Sequence, residues 1–331
     1  MNLLRKILFP VAIIYWIVTY IRNKCFDWGL LKSTSYHLPV IAIGNLSVGG
    51  TGKTPHTEYL IRLLKNQYKL AVLSRGYKRQ SKGFVLANKD VNAAVLGDES
   101  FQIHEKFPAI SVAVCEDRRT GIETLIQNVN PDVILLDDAF QHRKVNAGFY
   151  ILLTAYDDLF VNDCILPFGN LRESAIGKKR ADVVIVTKCP EDLSKEERLK
   201  MIKKIDVKVP VYFTSISYET YVYGKDQAVT LNDFKNLEKM IVVGIAKPDY
   251  FIEKVKTDKD HIKIYSDHHN FTAAEVEELR EWAKSKPIVT TEKDYVRLKD
   301  KIQFNLFYLP ILVRFLESES EFNQKIKNYV G

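Results

Sequence analysis

The stretch Ile41-Ala-Ile-Gly-Asn-Leu-Ser-Val-Gly-Gly-Thr-Gly-Lys-Thr-Pro55 decides the fold. The apolar, β-branched run 39–43 predicts a buried parallel strand, and residues 54–64 take up helical spacing. Strand, glycine loop and helix are the parts of a phosphate cradle. Small residues let backbone N–H groups turn inward, and the helix N-terminus adds a favourable dipole. Ser47, Val48, Gly49, Gly50, Thr51, Gly52, Lys53 and Thr54 form the expected nucleotide-binding loop. Lys53 is expected to reach the β- and γ-phosphates of a nucleoside triphosphate, and the Thr54 hydroxyl to ligate Mg²⁺. Pro55 suits a first helical turn, where its missing N–H costs nothing. The usual spacing G-x-x-x-x-G-K-[ST] asks for glycine where Ser47 stands, and Gly49, Gly50 and Gly52 supply the flexibility instead. A flexible turn with Lys53 merely solvated is the bland alternative; a strand before it and a helix after it speak against that.

A chain of 331 residues has room for one large α/β unit, or a domain and a half. Its 46% hydrophobic and 27% charged content argues against disorder. A net charge of +7 favours anionic partners: phosphorylated ligands, acidic headgroups or nucleic acid. Cys25, Cys115, Cys164 and Cys189 are scattered without a C-x-x-C pair, which predicts neither a zinc site nor a disulfide framework.

Residues 7–21 are almost wholly apolar, with Arg5 and Lys6 before them and Arg22 and Lys24 after. A bilayer span needs about 20 apolar residues, and this run is shorter. The flanking charges, with Tyr15, Trp16 and Tyr20, predict a membrane-associated helix over 1–28, embedded in one membrane face.

Further apolar runs at 70–73, 110–114, 133–136, 150–153, 183–186 and 211–213 predict a parallel sheet covered by helices on both faces. The expected fold is therefore an α/β, P-loop NTPase-type core over 29–217. A linker-like patch at 218–232 introduces a smaller C-terminal α/β lobe over 218–331, with runs at 240–245, 262–265, 287–290 and 304–312. Thr272 with Glu275 three residues later predicts a capped helix start there.

In such sheets ligands bind beyond the carboxyl ends of the strands. Val133-Ile-Leu-Leu-Asp-Asp138 ends a strand in two carboxylates, the hard oxygen ligands that a phosphate-bound metal requires. In Gly97-Asp-Glu99, Asp98 is a candidate general base, or Asp98 and Glu99 together a metal support. Arginines recur in the loops after strands, at Arg75, Arg118-Arg119, Arg143 and Arg172, where guanidinium forks suit phosphate. In Asp267-His-His269 a histidine could orient a base. Thr187-Lys-Cys-Pro190 has proline where a guanine pocket of the T-K-x-D type needs a carboxylate, which disfavours a GTPase.

Together these segments resemble the tetraacyldisaccharide 4′-kinases, the lipid A kinases of Gram-negative bacteria. The likeness runs through Gly44-Asn45, residues 48–55, Ser74-Arg-Gly-Tyr77, Gly97-Asp-Glu99, Asp117-Arg-Arg119, Asp137-Asp138 and Phe140-Gln-His-Arg143. It continues through Leu166-Pro167, Gly169, Leu171-Arg-Glu173, Asp267-His268 and Thr291-Glu-Lys-Asp294. Ala139, Ser100 and Asn170 depart from the family pattern in loop backbone rather than in functional side chains. The resemblance implies transfer of the ATP γ-phosphate to the 4′-hydroxyl of a tetraacylated glucosamine disaccharide 1-phosphate. It implies Asp98 and His268 as a base dyad, and Thr54, Glu99, Asp137 and Asp138 around Mg²⁺. Asn45, Arg75, Arg119, Gln141, His142 and Arg172 become the substrate- and phosphate-binding set. A monomer docked on anionic lipids at the cytoplasmic face of the inner membrane is also implied, with no nucleic-acid partner.

Two rival classes remain distinct. A membrane-anchored ATPase acting through a partner protein shares the loop and carboxylates, yet has no use for a base pair spread over two lobes. A basic nucleic-acid module would show one continuous basic face with aromatic readers, and the basic residues here sit in separate turns.

Overall fold

The computed structural model describes residues 5, 7–267 and 269–331. In chain order its elements include α1 (Phe9–Asp27), β1 (Val40–Asn45), α2 (Lys53–Leu64), β2 (Leu70–Ser74), β3 (Val85–Leu86), α3 (Ala93–Leu96), α4 (Asp98–Lys106), β4 (Ser111–Val114), α5 (Arg118–Asn128), β5 (Val133–Asp137), β6 (Phe149–Ala155) and β7 (Val183–Thr187). They continue with α6 (Lys195–Ile205), β8 (Val211–Tyr218), β9 (Tyr221–Tyr223), β10 (Ala228–Thr230), α7 (Leu231–Lys235), β11 (Met240–Val243), α8 (Asp249–Val255), β12 (His261–Ile264), α9 (Ala273–Ala283), β13 (Ile288–Thr290), α10 (Glu292–Leu298), β14 (Leu306–Tyr308), β15 (Ile311–Phe315) and α11 (Glu319–Val330).

The described residues form a nine-stranded sheet in the order β15-β8-β7-β6-β1-β5-β2-β4-β3. Strands β1, β2 and β4 to β8 run parallel, and the edge strands β3 and β15 are antiparallel. All six residues of β1 are buried. Ile41 and Ile43 face one core with Leu60 and Ile61 of α2, while Val40 and Ala42 face another with Ile122 and Leu125 of α5. That alternation explains why the strand reads as a continuous apolar run: both faces are covered. The successive strands β5 and β6 flank β1, so the loop leaving its carboxyl end opens at the switch point of the sheet.

The second sheet has the order β10-β9-β14-β13-β11-β12, with β11 to β14 parallel and β9–β10 an antiparallel pair. The patch expected to be a linker, 218–232, thus folds as strand and hairpin. Thr272 and Glu275 form both halves of a capping box at the start of α9. The apolar run 304–312 divides at Pro310: β14 stays in the small sheet, whereas β15 pairs antiparallel with β8 of the large one. Phe315 and, from α11, Phe322, Ile326 and Val330 then join the core beside α2.

The N-terminal reading needs correction. Helix α1 has 19 residues, and among the described residues no helix is long and apolar enough to cross a membrane. The membrane-associated helix over 1–28 and the location on the inner membrane are therefore not upheld. Polar groups within and after the apolar run hold the same helix to the large sheet's loops. Tyr15 donates to the Arg172 carbonyl at 2.9 Å, Asn23 donates to Glu173 at 2.7 Å, and Asp27 pairs with Arg143 at 2.8 Å.

The two sheets are joined through helices. Lys106 at the end of α4 bridges Glu58 of α2, at 2.6 Å, and Glu292 at the start of α10. Burial, then the neighbouring Glu58, push the Glu292 carboxyl up to about 7, against the pull of Lys106. A carboxyl raised in the folded chain contributes stability that is complete below its ordinary value of 4.5 and lost as pH rises through about 7. Replacing Glu292 with glutamine removes that titration. The unfolding midpoint of Glu292→Gln relative to wild type should accordingly rise between pH 4.5 and pH 7. A difference that stays constant across thermal melts in that window would refute the assignment.

Candidate functional site

The glycine loop wraps from β1 into α2. Gly49 and Gly52 have φ of 116° and 84°, values that side chains with a Cβ resist. Ser47 does not lie in that region; it is buried in a bridge with Leu171, flanked by Val48 N–H donating to the Asn170 carbonyl at 2.8 Å. The missing first glycine is thus explained, since that position is pinned in extended pairing and needs no left-handed turn. Buried His56 secures the other end of the loop. Its Nδ1–H donates to the Gly52 carbonyl at 2.7 Å, so Nε2 accepts from Thr214 at 3.1 Å. Burial holds this imidazole neutral, with its pKa down at about 4.

Lys53 Nζ lies 3.4 Å from Asn45 Oδ1 and 3.6 Å from Asp138 Oδ1. Arg172 grips both oxygens of Asp138, at 2.9 and 3.1 Å. Asp138 has a left-handed φ of 49°, which turns it out of the strand, while Asp137 stays within β5 and buried. Thr57 and Ser74 hydroxyls donate to Asp137 at 3.2 and 3.4 Å. Their electrostatics diverge. Burial, then the charges of Glu99 and Asp138, push Asp137 well above the usual carboxylate range. Burial also acts to raise Asp138, but Lys53 and Arg172 prevail and hold it below that range.

The remaining nominated residues divide into two groups. Gln141 donates to the Asn45 carbonyl at 2.8 Å and to Glu173 at 3.0 Å, so it braces the loop's base. Thr54 is half-buried in the first turn of α2, and Asp98 and Glu99 open α4. Arg119, by contrast, is taken up by Asp117 at 3.2 Å, and Arg75 is exposed just past β2. His142 accepts from the Arg118 N–H at the start of α5, and burial followed by Arg118 pushes its pKa down to about 4. His268 lies outside the described residues.

Sequence reasoning missed several neighbours. Lys188, weighed only as part of a guanine pocket, donates to the Gly50 carbonyl at 2.5 Å. Glu173 is buried and accepts from Arg180 at 2.7 Å as well as from Gln141 and Asn23. Arg297, from α10, pairs with Asp98. Only the local signal of a charged residue in a loop or helix end pointed to these three, and nothing local names their partners.

Whether ATP and Mg²⁺ fit can be judged from the groups present. Among the described residues, Asn45 Nδ2 and Thr51 Oγ1 are buried without a hydrogen-bond partner, both at the loop, which suits a polar ligand. Burial first, and then the neighbouring carboxylates Glu99 and Asp138, hold Asp137 in the protonated direction, and a divalent cation relieves the repulsion among them. Among the described residues no three His, Cys, Asp or Glu side chains form a ready metal cage. Mg²⁺ needs none, since it binds through one or two carboxylates plus substrate phosphates. A cleft of about 790 Å³ between α4 and α10, lined by Lys106, Glu292 and Tyr308 among others, includes none of the nominated residues. The chemistry therefore points to the glycine loop instead.

A strand–glycine loop–helix with Lys53, backed by paired carboxylates and an arginine, defines a P-loop phosphotransferase. The model of the tetraacyldisaccharide-1-P 4′-kinases (LpxK) matches residues 4–331, and the chain belongs to that family. It is 54% identical to a tetraacyldisaccharide 4′-kinase of Flavobacterium psychrophilum, over 100% of this chain and 98% of that one. With the corresponding protein of Bacteroides thetaiotaomicron it shares 44%, over 99% and 93%. The crystal structure of the "apo" form LpxK from Aquifex aeolicus in complex with ATP superposes with a TM-score of 0.82 at 28% identity, covering 99% of this chain and 100% of that one.

Gly44 tests how tightly the site is set. A Cβ there would lie 2.7 Å from Phe140 Cβ and 2.9 Å from Phe140 N, backbone that cannot swing away. Gly44→Ala should therefore destabilise by about 1–3 kcal/mol and weaken ATP binding, because Asn45 and Gln141 flank the clash. Thermal melts and ATP calorimetry on the variant check this; unchanged values in both would show that the strand yields.

Proposed function

We propose that this protein transfers the γ-phosphate of ATP to the 4′-hydroxyl of a tetraacylated glucosamine disaccharide 1-phosphate, a lipid A precursor. The observation that carries the reading is Lys53 standing between Asn45 and Asp138 at the mouth of the glycine loop, in a chain of this family. The loop's N–H groups and Lys53 bind the phosphates, and Arg172 neutralises charge from the side of Asp138. Thr54, Glu99 and Asp137 would hold Mg²⁺, and Asp138 stands by as a further oxygen donor once Lys53 turns to phosphate. When bound, the ion would neutralise charge building on the β- and γ-oxygens.

Asp98 serves as the base. It takes the proton of the acceptor hydroxyl as that oxygen bonds to the γ-phosphorus, and the bond to the β,γ-bridging oxygen breaks to release ADP. A sugar hydroxyl is a poor nucleophile at neutral pH, so a base aimed at it is worth about 10²–10⁴-fold. His268 is assigned as its partner on the family likeness alone. We also assign the work to two lobes, the large sheet holding nucleotide and the smaller one facing Asp98.

Labelled ATP and a lipid A disaccharide 1-phosphate in detergent micelles test this directly. Wild type should label the lipid, and Lys53→Ala should lose about 10²-fold or more while keeping the wild-type melt. ATP hydrolysis with no labelled lipid would replace the kinase by an ATPase that acts through a partner.

A further inference from the structure

Asp98 opens a helix of the large-sheet unit, yet the side chain gripping it comes from the smaller one. Arg297 Nε donates to Asp98 Oδ2 at 3.1 Å, and Arg297 Nη2 reaches the same oxygen. Its remaining nitrogen, Nη1, donates to Asp294 Oδ1 at 3.4 Å. The guanidinium side chain is only 9% exposed and Asp294 is fully buried.

Asp294 is itself fixed by three hydrogen bonds with two partners, Gly244 and Thr291. Its Oδ2 accepts from the Gly244 N–H at 2.8 Å, beyond β11, and from the Thr291 hydroxyl at 2.8 Å. Its own N–H donates to the Thr291 hydroxyl at 3.2 Å, the cap that starts α10. Val296, one residue before Arg297, packs with Leu96 and Phe101 on either side of Asp98 in the chain. A guanidinium seated on an anchored carboxylate, with two nitrogens on one oxygen of another, fixes where that second carboxylate lies. A lysine could offer charge here but not the fork.

We infer that Arg297 is a positioning residue for the phosphoryl transfer: anchored by Asp294, it sets the place of the Asp98 carboxylate from the opposite lobe. The inference rests on the reading of Asp98 as the base. Its consequence is that the reacting geometry on the large sheet is completed only by contact with the small one. A misplacement of about 1 Å at a reacting group costs about 10²-fold in rate.

The experiment uses the full chain with ATP and lipid A disaccharide 1-phosphate, comparing wild type, Arg297→Gln, Arg297→Lys, Arg297→Ala and Asp98→Ala. Arg297→Gln should lower kcat about 10–100-fold with KM for ATP close to wild type, and should lower the thermal midpoint, because the buried Asp294 loses its counter-charge. Arg297→Lys should fall between the two, and added guanidinium ion should restore part of the kcat of Arg297→Ala. A wild-type kcat in Arg297→Gln overturns the inference. So does a parallel loss of kcat and ATP affinity in Arg297→Ala that guanidinium fails to rescue. If Arg297→Gln does not fold, an unreduced kcat in Arg297→Lys overturns it instead. Asp98→Ala with full turnover would remove the base reading itself, whereas an inactive Asp98→Ala beside a fully active Arg297→Gln would sink the role of Arg297 alone.

Discussion

Everything at the phosphate end of the molecule depends on the register in which β1 lies between β5 and β6. Ile43 stands opposite Asp137 on one side and Ile151 on the other. That pairing brings the start of the glycine loop level with the end of β5, so Lys53 and the two carboxylates meet without any long reach. Because β1 is buried on both faces, no slip of one residue is tolerated: it would exchange the side chains facing the α2 and α5 cores. The backbone after β5 locks the register further, with the Ala139 N–H donating to the Ile43 carbonyl at 3.2 Å.

The same register sets up an electrostatic division between two adjacent, chemically identical residues. Asp137 remains in the sheet, served by hydroxyls and crowded by Glu99 and Asp138; Asp138 turns outward onto Lys53 and Arg172. One carboxyl is pushed toward its neutral form and the other held ionised. Pairs whose surroundings drive them apart in this way mark sites where separate tasks are assigned to like groups. Here the crowded member is the one whose charge a cation would compensate, and the paired member already has its counter-charges in Lys53 and Arg172.

How much of this was legible in the sequence follows from the range of each interaction. The β1 strand, its loop and α2 are local patterns, and they stand where the spacing puts them. The strand ending in Asp137-Asp138 was legible for the same reason, as was the Thr272–Glu275 cap. The return of β15 and α11 to the large sheet was not, because an apolar run carries no information about which sheet it joins. The N-terminal helix misled through composition: its apolar half reads like a membrane segment, while its contacts to Arg172, Glu173 and Arg143 lie more than a hundred positions away. Arg297 meets Asp98 across 199 positions, and a lone arginine in a helix looks the same with or without such a partner.

The joint between the sheets shows why those distant contacts matter for the chemistry. Helices α4 and α10 are tied by Asp98 with Arg297 and again by Lys106 with Glu292. Lys106 also holds Glu58 on α2, the helix that begins at Lys53. One largely buried ammonium therefore links the helix that begins at Lys53, the helix that begins at Asp98, and the helix that carries Arg297. Such a buried cluster adds little net stability, since desolvation offsets most of the attraction. It does penalise any arrangement that separates the partners, because each separation leaves a buried charge uncompensated. The cluster thus acts less as glue than as a gauge: Lys106 meets Glu58 and Glu292 in the same arrangement that faces Asp98 with Arg297, so a shift of any one helix strains both pairings.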